Sequence, residues 1–323
     1  MTRIMAFFFL LVGLVLGHAP QALPASKYPS YPVQFIITFP PGGPGDTTIR
    51  LIHPTFQKHL EGTIELVNKP GGGGAAGFSY VAKAKPDGYA ILSTMSPPLT
   101  VGTALQQLEF SLDDFVYIGA YAFDDTAIVS RPDPRWRTFD ELLAYAKANP
   151  GKLSYGTSGA ATAPYLVMEA IKAMRGVDLA VVQHAGSGPV RTAVLGGHVD
   201  VGVAVFGTLR ELVRSGKLVA LAIAAEERDP QFREVPTLKE KGLGDAMINL
   251  WAGLWAPKGT PPEILEILAR ALEKTAKDEE VVRRLQAAGY RPAWIPGGPM
   301  REMAQRDYDA ALKVVQALKV QRR

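Results

Sequence analysis

Four glycine-rich turns limit this chain more than any other feature. TFPPGGPGD (38–46), KPGGGGAAG (69–77), YGTSGAAT (155–162) and HAGSGP (184–189) each follow a short apolar run and precede a helix-like pattern. Strand, bare turn and helix in that order make a βα unit, and its repetition builds sheets covered by helices. VQFII (33–37), IELV (64–67), AILSTM (90–95), LSYG (153–156), LAVVQH (179–184), VDVGVAVF (199–206) and VALAIAA (219–225) read as strands. VYIGAY (116–121) and TAIVS (126–130) read as adjacent strands. Helical patterns run from Asp46 to Leu60, through Lys83, over DELLAYAKAN behind a Thr138–Glu141 capping box, to about Met174, and through Leu195. Pro54 should bend or shorten the first of these. The class is α/β.

Bare turns at the mouths of helices suit a particular chemistry. Their free N–H groups and the helix dipole favour negative charge, and ligands of open α/β sheets bind at the carboxyl ends of the strands. A single tight βα turn favours glycine for its geometry alone. Four in one chain point to the binding of a small anion.

The first 25 residues are built differently. Arg3 is their one charged residue, Ile4 to Leu16 is apolar apart from Gly13, and the segment ends in LPA, followed by Ser26. A basic start, an apolar stretch of about 13 residues and a small-residue exit describe a cleavable signal peptide, with cleavage at or near Ala25. The apolar stretch is short for a spanning helix, which needs about 20 residues. Export to the periplasm is the expectation. The chain has no cysteine, which excludes disulfides, thiolate nucleophiles, Cys-ligated zinc and a lipidated cysteine anchor. The 35 basic and 31 acidic residues leave a charge of +4. The basic residues are scattered, without the basic stripe and interleaved aromatics of a nucleic-acid binder.

Other chemistries are poorly served. GGGAAG (72–77) satisfies G-x-G-x-x-G, but the acid expected about 20 residues later is missing from a strand end, because Asp87 lies in a PDG turn. GTSGA (156–160) is one glycine short of a nucleophile elbow, so a hydrolase built on Ser158 is a rival reading that lacks a base. His53 and His59 face different ways on a helix. His198 lies in a GGHVD turn, and only His184, at a strand end, is placed to meet a ligand. No motif suggests a metal.

The series PPGGPGD, NKPGGGGAAG, KPDGY, NPGKLSYGTSG, HAGSGPVRTAVLGGHVDVGV, SGKLVALAIAA, VPTLKEKGL and WAGLWAPKGTP resembles the solute receptors of tripartite tricarboxylate transporters, the Bug family. It spans the whole chain after the signal, in order. The resemblance implies a two-lobed periplasmic binding protein fold, each lobe a mainly parallel sheet flanked by helices, with the ligand cleft between them. It implies a first lobe from residues 26–123 and 249–323 and a second from 124–248. It further implies a monomer that clamps a small organic carboxylate, needs no cofactor, and delivers its ligand to membrane permease subunits. A receptor serving a signalling partner would use the same closure.

In such receptors one loop from each lobe pinches the carboxylate. Carried onto this chain, Pro41, Gly42 and Gly43 form one jaw and Thr157, Ser158 and Gly159 the other, with Ser187 on a third loop. Asp46 matches a family position, though an N-cap role explains it without ligand. In NLWAGLWAP, Trp251, Gly253 and Trp255 alternate onto one strand face, where core packing is the simpler role for both tryptophans. Three departures bear on the ligand. STMSPPLT (93–100), with Ser96, stands where relatives carry small and amide residues. His184-Ala185 replaces an aromatic-basic pair, and Ala204, Val205 and Phe206 replace polar groups. The pocket is expected to be less polar than usual and to favour a monocarboxylate or an aromatic or aliphatic acid over citrate.

Overall fold

The computed structural model describes residues 28–159 and 162–321. The expected signal peptide, residues 1–25, lies outside them. Among the described residues no helix is long and apolar enough to cross a membrane.

The chain first lays down β1 (Val33–Ile37), α1 (Pro44–Leu60), β2 (Ile64–Asn68), α2 (Ala75–Ala82), β3 (Ala90–Met95), α3 (Pro97–Leu105) and β4 (Phe115–Phe123). It then crosses to a second unit: β5 (Thr126–Ser130), α4 (Phe139–Ala148), β6 (Leu153–Thr157), α5 (Ala163–Arg175), β7 (Leu179–Gln183), α6 (Ser187–Gly196), β8 (Val201–Val205), α7 (Arg210–Arg214) and β9 (Val219–Ala224). It returns through β10 (Trp251–Pro257), α8 (Pro262–Ala276), α9 (Glu279–Ala287), β11 (Arg291–Pro296) and α10 (Gly297–Gln321).

Two sheets result, ordered β11-β4-β10-β3-β1-β2 and β7-β6-β8-β5-β9. Strands joined by crossover helices are parallel, as in β1 with β2 and β3, and β6 with β7 and β8. Strands that carry the chain between lobes run antiparallel to their neighbours: β10 against β3 and β4, and β5 against β8 and β9. Both sheets are therefore mixed. β4 and β5, adjacent in sequence, do not pair; they belong to different sheets because the chain changes lobe between them.

Local choices explain the elements. Thr138 accepts from the Glu141 amide while Glu141 accepts from the Thr138 amide, the reciprocal cap that starts α4. α1 continues through Pro54. That proline is exposed, so the carbonyl it leaves unpaired faces water. Along β10, Trp251 and Trp255 pack with Phe78 and Met300 on one side of the sheet. Ala252, Leu254 and Ala256 pack on the other side with Leu268 and Leu272 of α8. A Cβ at Gly253 would lie 2.6 Å from Met300 Cε, so the position between the tryptophans has no room for a side chain. Burying each of these large side chains is worth roughly 1.5–3 kcal/mol.

The lobes meet at paired crossings. The Asp124 N–H donates to the Leu250 carbonyl at 2.8 Å, and the Ser96 N–H donates to the Trp251 carbonyl at 2.8 Å. α10 ties the lobes together from one side: Met300, Met303 and Ala304 enter the core of the first, while Ala311 and Val314 enter the core of the second.

Candidate functional site

A cleft of about 640 Å³ lies between the lobes. Phe39, Gly72, Gly73, Met95, Pro97, Pro98 and Leu105 line it from the first lobe, and Ser158, Thr162, Ala163, Pro164 and Val205 from the second. Asp124 and Leu250, on the two crossings, complete it. Its walls are chiefly apolar, and among the described residues Asp124 is the one ionisable side chain in the lining.

The first turn is braced from within. Gly43, not Asp46, caps α1, in an extended conformation (φ −71°, ψ 165°), and Pro44 opens the helix without an N–H to satisfy. Asp46 sits in the first turn of the helix and reaches back. Its Oδ2 accepts from the Gly42 N–H at 2.9 Å and from Arg50 Nε at 2.8 Å, and its Oδ1 accepts from Asn68 Nδ2 at 3.0 Å. The same Asn68 amide donates to the Phe39 carbonyl at 2.9 Å, tying the loop to β2. The hydrogen bond from Arg50, with those from the Gly42 amide and Asn68, holds the Asp46 carboxyl down at about 2. Sequence reasoning assigned the Gly42 and Gly43 amides to the ligand. Here Asp46 takes the first, and the Pro40 carbonyl takes the second at 3.1 Å. Pro41 and Gly42 stand exposed, while Phe39 lines the cleft. In the second turn, a Cβ at Gly74 would lie 2.6 Å from Pro98 Cγ; the residue is at φ +103°, so only glycine fits.

The third turn brings hydroxyls to a helix N-terminus. Ser158 Oγ donates to Thr162 Oγ1 at 3.3 Å, and Thr162 Oγ1 donates to the Gly159 carbonyl at 2.8 Å. Thr162 caps α5 without a side-chain hydrogen bond to the helix, and Pro164 opens its first turn without an N–H to satisfy. Thr157 ends β6 fully buried, its Oγ1 without a partner. The Ser158 hydroxyl is paired with another hydroxyl rather than with a base, which does not activate a nucleophile.

The remaining expected residues fall outside the lining. His184 is half-buried, and its N–H donates to the Thr157 carbonyl at 2.9 Å, which fixes the third turn from β7. Ser187 opens α6, half-buried. Ser96 is buried, its Oγ bridging the Asn249 carbonyl and the Trp251 N–H at 3.3 Å each. Phe206 is 1% exposed and packs 4.9 Å from Phe232, in the core on the far face of the sheet. β8 ends at Val205, which lines the cleft, and Phe206 opens the turn that follows, its backbone N–H donating to the Asp125 carbonyl at 2.7 Å. Trp251 is buried, and its indole N–H donates to Asp307 Oδ2 at 2.9 Å. Sequence reasoning overlooked Phe39, Thr162 and Asp124; it placed the STMSPPLT and Ala204–Phe206 stretches at the pocket but singled out Ser96 and Phe206, where the lining takes Met95, Pro97, Pro98 and Val205. For Asp124 a signal was available, in two consecutive acids set between apolar strands.

Two α/β lobes, paired crossings and a cleft walled by turns from both lobes define a two-lobed solute-binding receptor. Residues 48–319 match the model of the tripartite tricarboxylate transporter family receptor, TctC, and the chain belongs to that family. It is 32% identical over 297 residues to Protein BugT of Bordetella pertussis, covering 90% of each chain. A TctC solute binding protein from Polaromonas, solved with no ligand, superposes with a TM-score of 0.82 at 30% identity over 90% of this chain and 100% of that one. MatC from Rhodopseudomonas palustris, solved with bound malate, gives 0.69 at 28% identity over 89% of this chain and 100% of that one. Proteins of this family are solute-binding receptors, not enzymes, and this chain is a solute-binding receptor.

Proposed function

We propose that this receptor, exported by the signal in residues 1–25, closes residues 26–123 with 249–323 onto residues 124–248 around a small monocarboxylate. The loaded form then delivers its ligand to the permease of a tripartite transporter. The observation that carries the reading is the cleft itself, walled by both lobes, apolar, and without a basic side chain among its described lining residues. Such a site suits one carboxylate on a compact apolar body better than the several charges of citrate. The malate bound by MatC supports a carboxylate as the ligand class. On this chain the carboxylate is received by Ser158, Thr162 and the N-terminus of α5, with the Phe39–Gly43 turn closing from the other lobe. Donors and apolar wall divided between lobes make closure follow ligand, because only the closed form supplies both.

Native mass spectrometry of the mature protein, purified without denaturation, followed by a thermal-shift screen of organic acids, tests this. A retained or strongly stabilising monocarboxylate is expected. Titration calorimetry showing citrate bound far more tightly than benzoate or short aliphatic acids would overturn the monocarboxylate reading. Hydrolysis of an ester or amide, with no acid stabilising the protein, would overturn the receptor assignment.

A further inference from the structure

Among the described residues Asp124 has no ion-pair partner, and the Gly207 amide and the Arg210 guanidinium offset its charge only in part. Asp124 lies on the first crossing, is 6% exposed and lines the cleft, and its Oδ1 is sealed from solvent against the Gly207 backbone, with no partner in full hydrogen-bond geometry. Every cation around it is already engaged. Arg291 of β11 makes a two-pronged ion pair with Asp125, Nε at 2.7 Å and Nη2 at 2.8 Å. Arg210 of α7 pairs with Asp229 and donates to the Gly289 carbonyl at 3.1 Å. The phenol of Tyr290 is the other titratable group that senses Asp124, and its own ionisation is suppressed by burial and by that charge. The cluster therefore sets three carboxylates, Asp124, Asp125 and Asp229, against two guanidiniums, and the odd carboxylate is the one at the cleft.

We infer that Asp124 is a specificity-determining residue of this receptor, selecting carboxylates whose apolar body carries a protonated amine that pairs with Asp124. The inference rests on the monocarboxylate reading above and adds a second pole to it. An amine supplies the one positive charge the cluster lacks, and a charged donor meeting a buried carboxylate makes the stronger kind of hydrogen bond. A plain alkanoate leaves Asp124 unpaired. A dicarboxylate sets a second anion against it, and no basic side chain among the described lining residues offsets that repulsion. Burial and the neighbouring Asp125 push the Asp124 carboxyl up to about 7. The amine's advantage is therefore largest above that pH, where the carboxylate is ionised, and shrinks on going to pH 6.

Calorimetric titration of the mature protein at pH 8 decides the matter, using matched series at two lengths: butanoate, 4-aminobutanoate and succinate, then hexanoate, 6-aminohexanoate and adipate. The amino member is expected to bind about tenfold or more tightly than its alkanoate and its diacid, the worth of one charge-assisted hydrogen bond. In Asp124→Asn, checked for an intact fold by its melting transition, that preference is expected to vanish. If alkanoates or diacids bind the wild type as well as the amino acids or better, the inference fails and the carboxylate reading stands. A preference that survives in Asp124→Asn also overturns it. If no member of either series binds, the inference fails, and the monocarboxylate reading is left to the aromatic acids of the thermal-shift screen.

Discussion

Asp46 Oδ2 accepts the Gly42 amide at 2.9 Å, so the first turn of the cleft is held open by a carboxylate one helical turn further on. The same carboxylate also accepts from Arg50 and Asn68, which makes it the knot joining turn, helix and β2. Asp46→Ala is expected to loosen all three and lower stability by about 1–3 kcal/mol, read from urea unfolding. The contribution has a definite pH window. Because the folded carboxyl titrates at about 2, below its ordinary 3.8, the stability is present above pH ~4 and lost as pH falls through 2. Asp46→Ala should show a shallower acid denaturation over that range.

Gly43→Val is expected to weaken carboxylate binding by about tenfold, read by calorimetry, while the melting transition stays cooperative. The residue is at φ −71°, open to any side chain, but a Cβ would lie 3.1 Å from the Pro40 carbonyl and 3.2 Å from Phe39 Cβ. The strain falls on the residue that lines the cleft. Unchanged affinity in a folded variant would place the first jaw elsewhere.

Asp307→Ala is expected to destabilise the joint between lobes by about 2–4 kcal/mol, because it strands the Trp251 indole N–H and the Asn249 amide in a buried site. Asp307→Asn, which keeps an acceptor, should lose less. Burial pushes the Asp307 carboxyl up to about 6. The folded state thus holds this proton where the unfolded chain has released it, and stability falls as pH rises from about 4 to 6. Melting temperatures across that range should show the slope in wild type and a weaker one in Asp307→Asn.

Asp124→Asn is expected to raise the melting temperature at pH 8 by about 2–8 °C, taking ~1–2 kcal/mol as the cost of the unpaired buried charge. The sign follows from a folded carboxyl at about 7 against 3.8 unfolded, so wild-type stability falls between those values and the variant's does not. A variant that melts lower than wild type at pH 8 would mean the charge is compensated after all.

Gly289→Val is expected to cost about 1–3 kcal/mol or more. The residue is at φ +89°, and a Cβ would lie 2.9 Å from Gly207 Cα, where the two lobes touch backbone to backbone behind the crossings. A chemical-denaturation midpoint near that of wild type would show that this contact yields.

Much of this molecule is local and therefore legible. The four turns, the capping box at Thr138 and the alternation that buries Trp251 and Trp255 need only residue type and spacing, because glycine permits what other residues forbid and side chains alternate along strands. The order of the turns was enough to resemble a receptor family. α9 and β11 carry weaker local signals and went unread.

What the sequence by itself determined is the set of βα units and the apolar character of the site between them. Only the tertiary structure decided which groups are free to meet a ligand. Asp46, Gly42, Ser96 and Phe206 all looked available, and each is engaged by partners 4 to 155 residues away or packed into a core. Asp124 is left without an ion pair because Arg291 and Arg210, 167 and 86 residues further along, are drawn to Asp125 and Asp229 instead. Hydrogen bonds and ion pairs are satisfied in space, so whether a polar group is spent or spare is a property of the fold and not of its place in the chain.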